Sequence, residues 1–479
     1  MKIFTIPVYD RLSLRGTKAV GPWSGKPAEQ SGLDIVPNPQ WSPRFGESTR
    51  SRLFPLSMSS GAGRRELIMD NIFPCCAGLD VHKKSVEASV RRMEPTGKLH
   101  QATHHWGTMT RDLLALADWM AAQGVTHVAM ESTGVFWKPL YNILESRFTI
   151  LLVNARHLKQ VPGRKSDVRD CQWIAQLLQH GLLKGSFIPP RPQRELRDLT
   201  RHRTQLVQEK TRTINRLHKV LEDANIKLGS VATDILGASG RAMLERLIEG
   251  EQDAVQLADL ARRQLRGKIP ELEKALEGHV TEHHRFFLKL LWKQLAQQEA
   301  LIAELDEKIE EHTRPFAEEI ERLDAVPGVD RRVAEVTLAE VGADMKPFPT
   351  HHHVASWAGM CPGNEESAGK RRRQRITPGN RWLKQTLVQA AWAASHSKSS
   401  YLASQFRRLV GRRGKKRALV AVGHSLLVIF YHMLKNGTPY ADLGGDFFDR
   451  LAPERLTRYY VKRLEGLGHK VTLQTCTAA

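Results

Sequence analysis

The stretch CCAGLDVHKKSVEASVRR (residues 75–92) decides how this chain is read. Its apolar run closes on Asp80 and Val81, a charged turn follows at Lys83 and Lys84, and apolar and polar residues then alternate. An unbroken apolar run bounded by a turn signals a strand covered on both faces, whereas alternation signals a strand with one wet face. KLHQATHHWGT (98–108) reads as a third strand, and TRDLLALADWMAAQG (110–124) as a helix with Thr110 as its cap and Gly124 at its end. Beyond it, THVAMEST (126–133) reads as a short buried strand, VFWKPLYNILESR (135–147) as a helix and FTILLVNAR (148–156) as a strand; a helix holding Asp170 follows. Three strands followed by alternating helices and strands predict an α/β domain on a mixed sheet.

The whole chain has 479 residues, with Lys plus Arg 72 against Asp plus Glu 51, a formal charge of +21. An excess of that size calls for a polyanionic partner. The longest apolar run, ALVAVGHSLLVIFYHML (418–434), contains two histidines and is short for a membrane span, so it reads as a core helix. No signal-peptide pattern opens the chain. Nucleic acid is therefore the better polyanion, and no membrane partner is expected. Cys75, Cys76, Cys171, Cys361 and Cys476 form no zinc-type spacing and suit a reducing cytoplasm.

Residues 1–68, rich in Gly, Pro and Ser without periodicity, read as a disordered or mis-annotated extension, because MDNIFPCCAGLD at Met69 looks like a protein start. The α/β domain is expected over 69–190. Over 191–320, RELRDLTRHRTQLVQEKTRTINRLHKVLEDA and HHRFFLKLLWKQLAQQEALIAELDEKIEEH repeat apolar residues every three or four positions, as an antiparallel coiled coil does. A mainly helical domain is expected over 321–465 and a tail over 466–479. Within IERLDAVPGVDRRVAEVTLAEVG (320–342) the VPGV turn fits either a helix-hairpin-helix or a plain helical turn, since Asp330 stands where the motif needs its second glycine.

Four acids fall at telling places in the α/β domain. Asp80 ends the first strand and Glu131 a later one, while Asp167 and Asp170 in GRKSDVRDCQWIAQLL (163–178) flank the start of the last helix, three apart and so on one face. Each acid alone has a plain explanation as a turn former or helix cap. Together, in this order, they follow the plan of the ribonuclease-H-like fold, whose carboxylates hold two Mg²⁺ ions for phosphodiester chemistry. Acids gathered at strand ends would repel one another without cations.

A second chemistry lies at ESAGKRRRQR (366–375). Ser367 precedes Lys370, Arg371, Arg372 and Arg373, with Arg375 and Arg381 close behind. Arginines can clamp a scissile phosphate, and a serine beside them can act as nucleophile or simply anchor nucleic acid. RRLVGRRGKKR (407–417), including Arg412, Arg413, Lys415 and Lys416, carries seven cations and no acid and reads as a phosphate-backbone surface. Trp357, Trp382 and Trp392 fit helical packing better than base stacking, and His351 to His353 lack ligand spacing.

GLDVHK, ESTGVFW, KSDVRDCQWIAQLL, ASWAGMCPGNEESAGKRRRQRITPGNRWL and VAVGHSLLVIFYHML, in that order over about residues 70–465, resemble the DEDD transposases of the IS one-ten family, closest to its IS eleven-eleven branch. The resemblance implies a RuvC-like N-terminal domain, a coiled coil and a C-terminal transposase domain. It also implies a tetrad of Asp80, Glu131, Asp167 and Asp170 with Mg²⁺, and Ser367 as a nucleophile that links covalently to DNA. A homo-tetramer acting on donor and target DNA in the prokaryotic cytoplasm, at the nucleoid, is implied too. A structured guide RNA follows from the resemblance alone. The alternative is a Mg²⁺-dependent nuclease of the Holliday-junction type, using the acids without the serine.

Overall fold

A computed structural model of the chain describes residues 72–132, 134–154, 158, 170–362, 366–367, 370–371 and 376–474. They fall into two units that divide between Gly185 and Ser186.

The first unit is a five-stranded sheet in the order β3-β2-β1-β4-β5. β1 (Cys75–Val81), β2 (Ser85–Met93) and β3 (Leu99–Gly107) form an antiparallel meander, and β4 (His127–Glu131) and β5 (Thr149–Val153) extend it in parallel from β1. Being central, β1 is apolar on both faces, as its unbroken run predicts. Helix α1 (Thr110–Ala122) turns Leu113, Leu116, Ala117 and Met120 inward at helical spacing. Its cap differs from the expectation: Met109 holds the cap position without a side-chain bond, and Thr110 is already the first helical residue. Gly124, at φ +78°, ends it in the left-handed region. Helix α2 (Trp137–Leu144) and helix α3 (Asp170–Gln179) complete the described elements.

The two sheet faces are covered differently. His104 and Trp106 of β3 meet Trp119 of α1 at 4.9 and 6.0 Å between ring centroids. On the other face, Cys76, Ala129, Leu151 and Val153 pack with Ile174, Leu177 and Leu178 of α3. The mixed sheet with helices is consistent with the ribonuclease-H-like plan.

The second unit is helical. Its long helix α4 (Arg191–Asp223) leads into α5 (Leu228–Val231), α6 (Ala238–Glu249), α7 (Ala254–Asp259) and α8 (Ile269–Leu276), and the long α9 (Glu282–Thr313) returns. Contacts pair Leu196 with Ile309, Arg203 with Asp306, Lys210 with Glu299 and Asp223 with His284, so α4 and α9 run antiparallel. The helical insert between them, with its own core around Leu244, Leu257 and Leu272, is not announced by the periodicity.

The remaining helices are α10 (Ala317–Asp324), α11 (Arg331–Val341), α12 (His351–Trp357), α13 (Arg381–Ala394), α14 (Tyr401–Arg413), α15 (Lys415–Asn436), α16 (Phe447–Arg450) and α17 (Pro453–Glu465). α15 is the one helix among the described residues long and apolar enough to cross a membrane. It packs in the core of this unit, with Val422, Leu426 and Phe430 buried and Gly423 against Leu387 of α13. The VPGV segment is a plain helical turn in its packing. Gly328 has φ +82°, and a β-carbon there would stand 2.3 Å from the Ala394 nitrogen, so the turn is pressed onto the end of α13. Asp330 caps α11 by accepting from the Val333 N–H.

Candidate active site

Strand register brings the acids together. β1 and β4 run parallel with Leu79 opposite Met130, so Asp80 and Glu131 follow one another across the two adjacent strand ends. Side chains alternate between faces, which puts Cys76, Gly78 and Asp80 on the side shared by Ala129 and Glu131. That is the face covered by α3. The helix approaches so closely that a β-carbon on Gly78 would lie 2.3 Å from both the Ala175 nitrogen and the Cys171 oxygen. The Cys76 thiol donates to the Ala175 carbonyl at 3.5 Å, and the Gln172 amide donates to Thr103 Oγ1 at 3.2 Å. Asp170 is the first residue of α3.

Burial raises the Asp80 carboxyl above the usual carboxylate range, and the charges of Asp170 and Glu131 raise it further. His82 opposes them, with its Nε2 3.2 Å from Asp80 Oδ2. Asp80 is therefore within electrostatic reach of both Glu131 and Asp170 at the strand ends. Asp167 lies outside the described residues. Among the described residues no three acid, histidine or cysteine side chains close into a metal cage. Asp80, Glu131 and Asp170 offer carboxylate oxygens, the donors a hard cation such as Mg²⁺ takes. His82 is not singled out in the sequence, and only its contact with Asp80 marks it.

Around Ser367 the backbone forms a nested pairing. Pro362 faces Ile376, Glu366 of β6 (Glu366–Ser367) faces Arg371 of β7 (Lys370–Arg371), and Ser367 faces Lys370. The serine thus sits on the innermost pair, opposite the first residue of the basic run. Arg372, Arg373 and Arg375 lie outside the described residues, as do the side chains of Ser367, Lys370 and Arg371.

Past this hairpin, α13 opens with Arg381, whose guanidinium lies 4.5 Å from the centre of the Trp382 ring. Its cap is Asn380, whose Oδ1 accepts from the Trp382 and Leu383 N–H groups at 3.0 and 3.1 Å. The Asn380 amide in turn donates to Glu340 at 2.5 Å. Glu340 is wholly buried in α11, and Arg201 of α4 grips it with two bonds of 2.6 and 2.7 Å. Arg197 stands 3.4 Å from the same carboxylate, and burial pulls its guanidinium down to about 10 while Glu340 opposes that fall. This network fixes the start of α13, and neither Glu340 nor Arg201 carries a signal in the sequence.

Arg412, Arg413, Lys415 and Lys416 are exposed at the corner between α14 and α15. Lys415 Nζ lies 3.9 Å from the Trp392 ring centre, and Arg197 stands 5.7 Å from that of Trp357. The three tryptophans are half-buried and faced by cations within the unit, as packing residues are.

The first unit carries carboxylates at its strand ends and the second carries exposed cations, features common among proteins that work on nucleic acid. Comparison with known proteins narrows the class. Residues 77–226 match the family DEDD_Tnp_IS110, described as transposase, and residues 320–407 match the transposase IS116/IS110/IS902 family. Two separate stretches of the chain are thus similar to transposase domains of the IS110 (IS one-ten) family. It is also similar to the insertion element IS110 uncharacterized 43.6 kDa protein of Streptomyces coelicolor, at 31% identity over 146 residues. That likeness covers 30% of this chain and 34% of the relative's length.

Proposed function

We propose that the chain is an insertion-sequence transposase that cuts and rejoins DNA with a RuvC-like carboxylate site and a serine nucleophile. The observation that carries this reading is the strand register that sets Asp80 and Glu131 at the ends of adjacent strands, with Asp170 opening the helix packed on the same face. Asp80, Glu131 and Asp170, with Asp167 as the fourth, are the residues that would hold Mg²⁺. When bound, that cation supplies positive charge for an attacking or leaving phosphodiester oxygen.

The remaining steps belong to this chain's own residues. Ser367, facing Lys370 across its hairpin, attacks a phosphodiester; a sugar oxygen leaves with a proton, and the DNA phosphate is carried on the serine oxygen. Attack by a second sugar oxygen releases the serine and rejoins the strand, so the number of phosphodiester bonds is conserved. Lys370 to Arg373, Arg375 and Arg381 hold the phosphate, with Arg381 fixed by the capped start of α13. The exposed cations at Arg412, Arg413, Lys415 and Lys416 bind the DNA backbone. A structured guide RNA and a tetramer complete the reading; the charge of +21 suits two nucleic-acid partners.

The test is a Ser367→Ala variant incubated with element-end DNA. The covalent protein–DNA adduct and strand exchange should both vanish while DNA binding persists. Normal recombination by this variant would leave the acids alone as the catalytic site, the nuclease alternative.

A further inference from the structure

The last helix, α17, has no buried residue, and only Leu456 and Val461 are even half-covered. At 3.6 residues per turn, Arg455, Arg458, Tyr459, Lys462 and Arg463 share one side, while Leu456, Tyr460, Val461 and Leu464 share the other. Its two acids, Glu454 and Glu465, stand at the ends of the helix. Among the described residues none of the four cations pairs with an acid, and like charges on one face repel. Tyr459 stands amid these cations, 54% exposed, its hydroxyl accepting from Arg463 at 3.1 Å.

We propose that α17 is a docking surface for single-stranded DNA, with its cations on successive phosphates and Tyr459 stacked on an unpaired base. The cations span about 12 Å of helix, enough for a short run of phosphates. Cations alone would serve a duplex backbone, but an exposed aromatic ring among them offers a face that only an unpaired base can use. An interfacial membrane helix would be anchored by a broad apolar side, whereas here Leu456 and Val461 on that side are half-covered and the exposed charged side is the larger one. A second copy packed on the charged side would bring the same cations against themselves. The inference rests on the reading above only in taking DNA as the polyanion.

The experiment measures fluorescence anisotropy of labelled oligothymidylate and of a duplex with the full chain, its Tyr459→Ala and Tyr459→Phe variants, and the triple variant Arg455→Ala, Arg458→Ala, Lys462→Ala. Tyr459→Ala should weaken single-strand binding roughly tenfold and Tyr459→Phe should restore it, since a phenyl ring stacks equally well. Duplex binding should change less than about twofold. The triple variant should flatten the logarithmic salt dependence for single strands by about 2. The melting temperature should not move, because the substituted side chains are exposed. The proposal is overturned if Tyr459→Ala binds oligothymidylate like the parent or loses duplex to the same extent. It is equally overturned if the variants instead lose binding to phosphatidylserine vesicles or lose self-association in sedimentation. Ser367→Ala should bind oligothymidylate like the parent, so failure here is separable from failure of the serine assignment.

Discussion

Gly78 and Ala175 meet backbone to backbone, leaving only 2.3 Å between the Ala175 nitrogen and the place a β-carbon on Gly78 would take. This contact seats α3 on β1 and holds Asp170, at the helix start, over the strand end that carries Asp80 two residues beyond Gly78. A larger residue at 78 must push the helix away, because the atoms it meets are backbone and cannot rotate aside. Gly78→Val should cost about 1–3 kcal/mol by overpacking and should abolish DNA cleavage along with it. Calorimetry checks the first part, and an unchanged melting temperature would show that the close approach is not needed.

Asp80 predicts a conflict between stability and activity. Its carboxyl is raised in the folded chain, so the folded state binds more protons than the unfolded state between the unfolded value, about 3.9, and the higher folded one. Stability therefore falls as pH rises through that window, and the cost is fully present at neutral pH. Protonation, a cation or an uncharged side chain should each remove it. In EDTA at pH 7, Asp80→Asn should melt higher than the parent chain while being inactive, and Mg²⁺ should stabilise the parent more than the variant. A lower melting temperature for Asp80→Asn in EDTA would mean that the charge is already satisfied by His82.

The Arg201–Glu340–Asn380 network gives a third expectation. Glu340 is fully buried, so Glu340→Ala leaves Arg201 and Arg197 facing a void without their counter-charge. Loss of one partner of a buried pair costs about 3–5 kcal/mol, and Arg201's partial exposure places this case at the lower end. Glu340→Gln keeps the acceptor for Asn380 and should lose less. Urea titration of both variants checks the order, and equal stability for the two would remove the charge from the argument.

The sequence revealed those parts of the fold that rest on local pattern. The strands β1 to β5, the helices between them and the two long helices follow from periodicity, which registers burial directly. α1 begins differently because a helix can start without a capping side chain: Met109, not Thr110, stands at the cap. The insert between α4 and α9 stayed hidden because helices of four to twelve residues carry too few turns to show a period. At the candidate site, residue types and order exposed the acids, and the register of Leu79 with Met130 supplied the adjacency that order alone cannot. The Arg201–Glu340 pair, 139 positions apart, leaves no local trace.

The central claim is that the carboxylates gathered at the strand ends work on DNA through a bound cation. The most direct measurement is strand cleavage and transfer by the purified chain on element-end DNA, in Mg²⁺ and in EDTA, for the parent, Asp80→Asn and Asp167→Asn. The account predicts activity only for the parent and only in Mg²⁺, with DNA binding unchanged in all three. Full activity in EDTA, or in either variant, would contradict it.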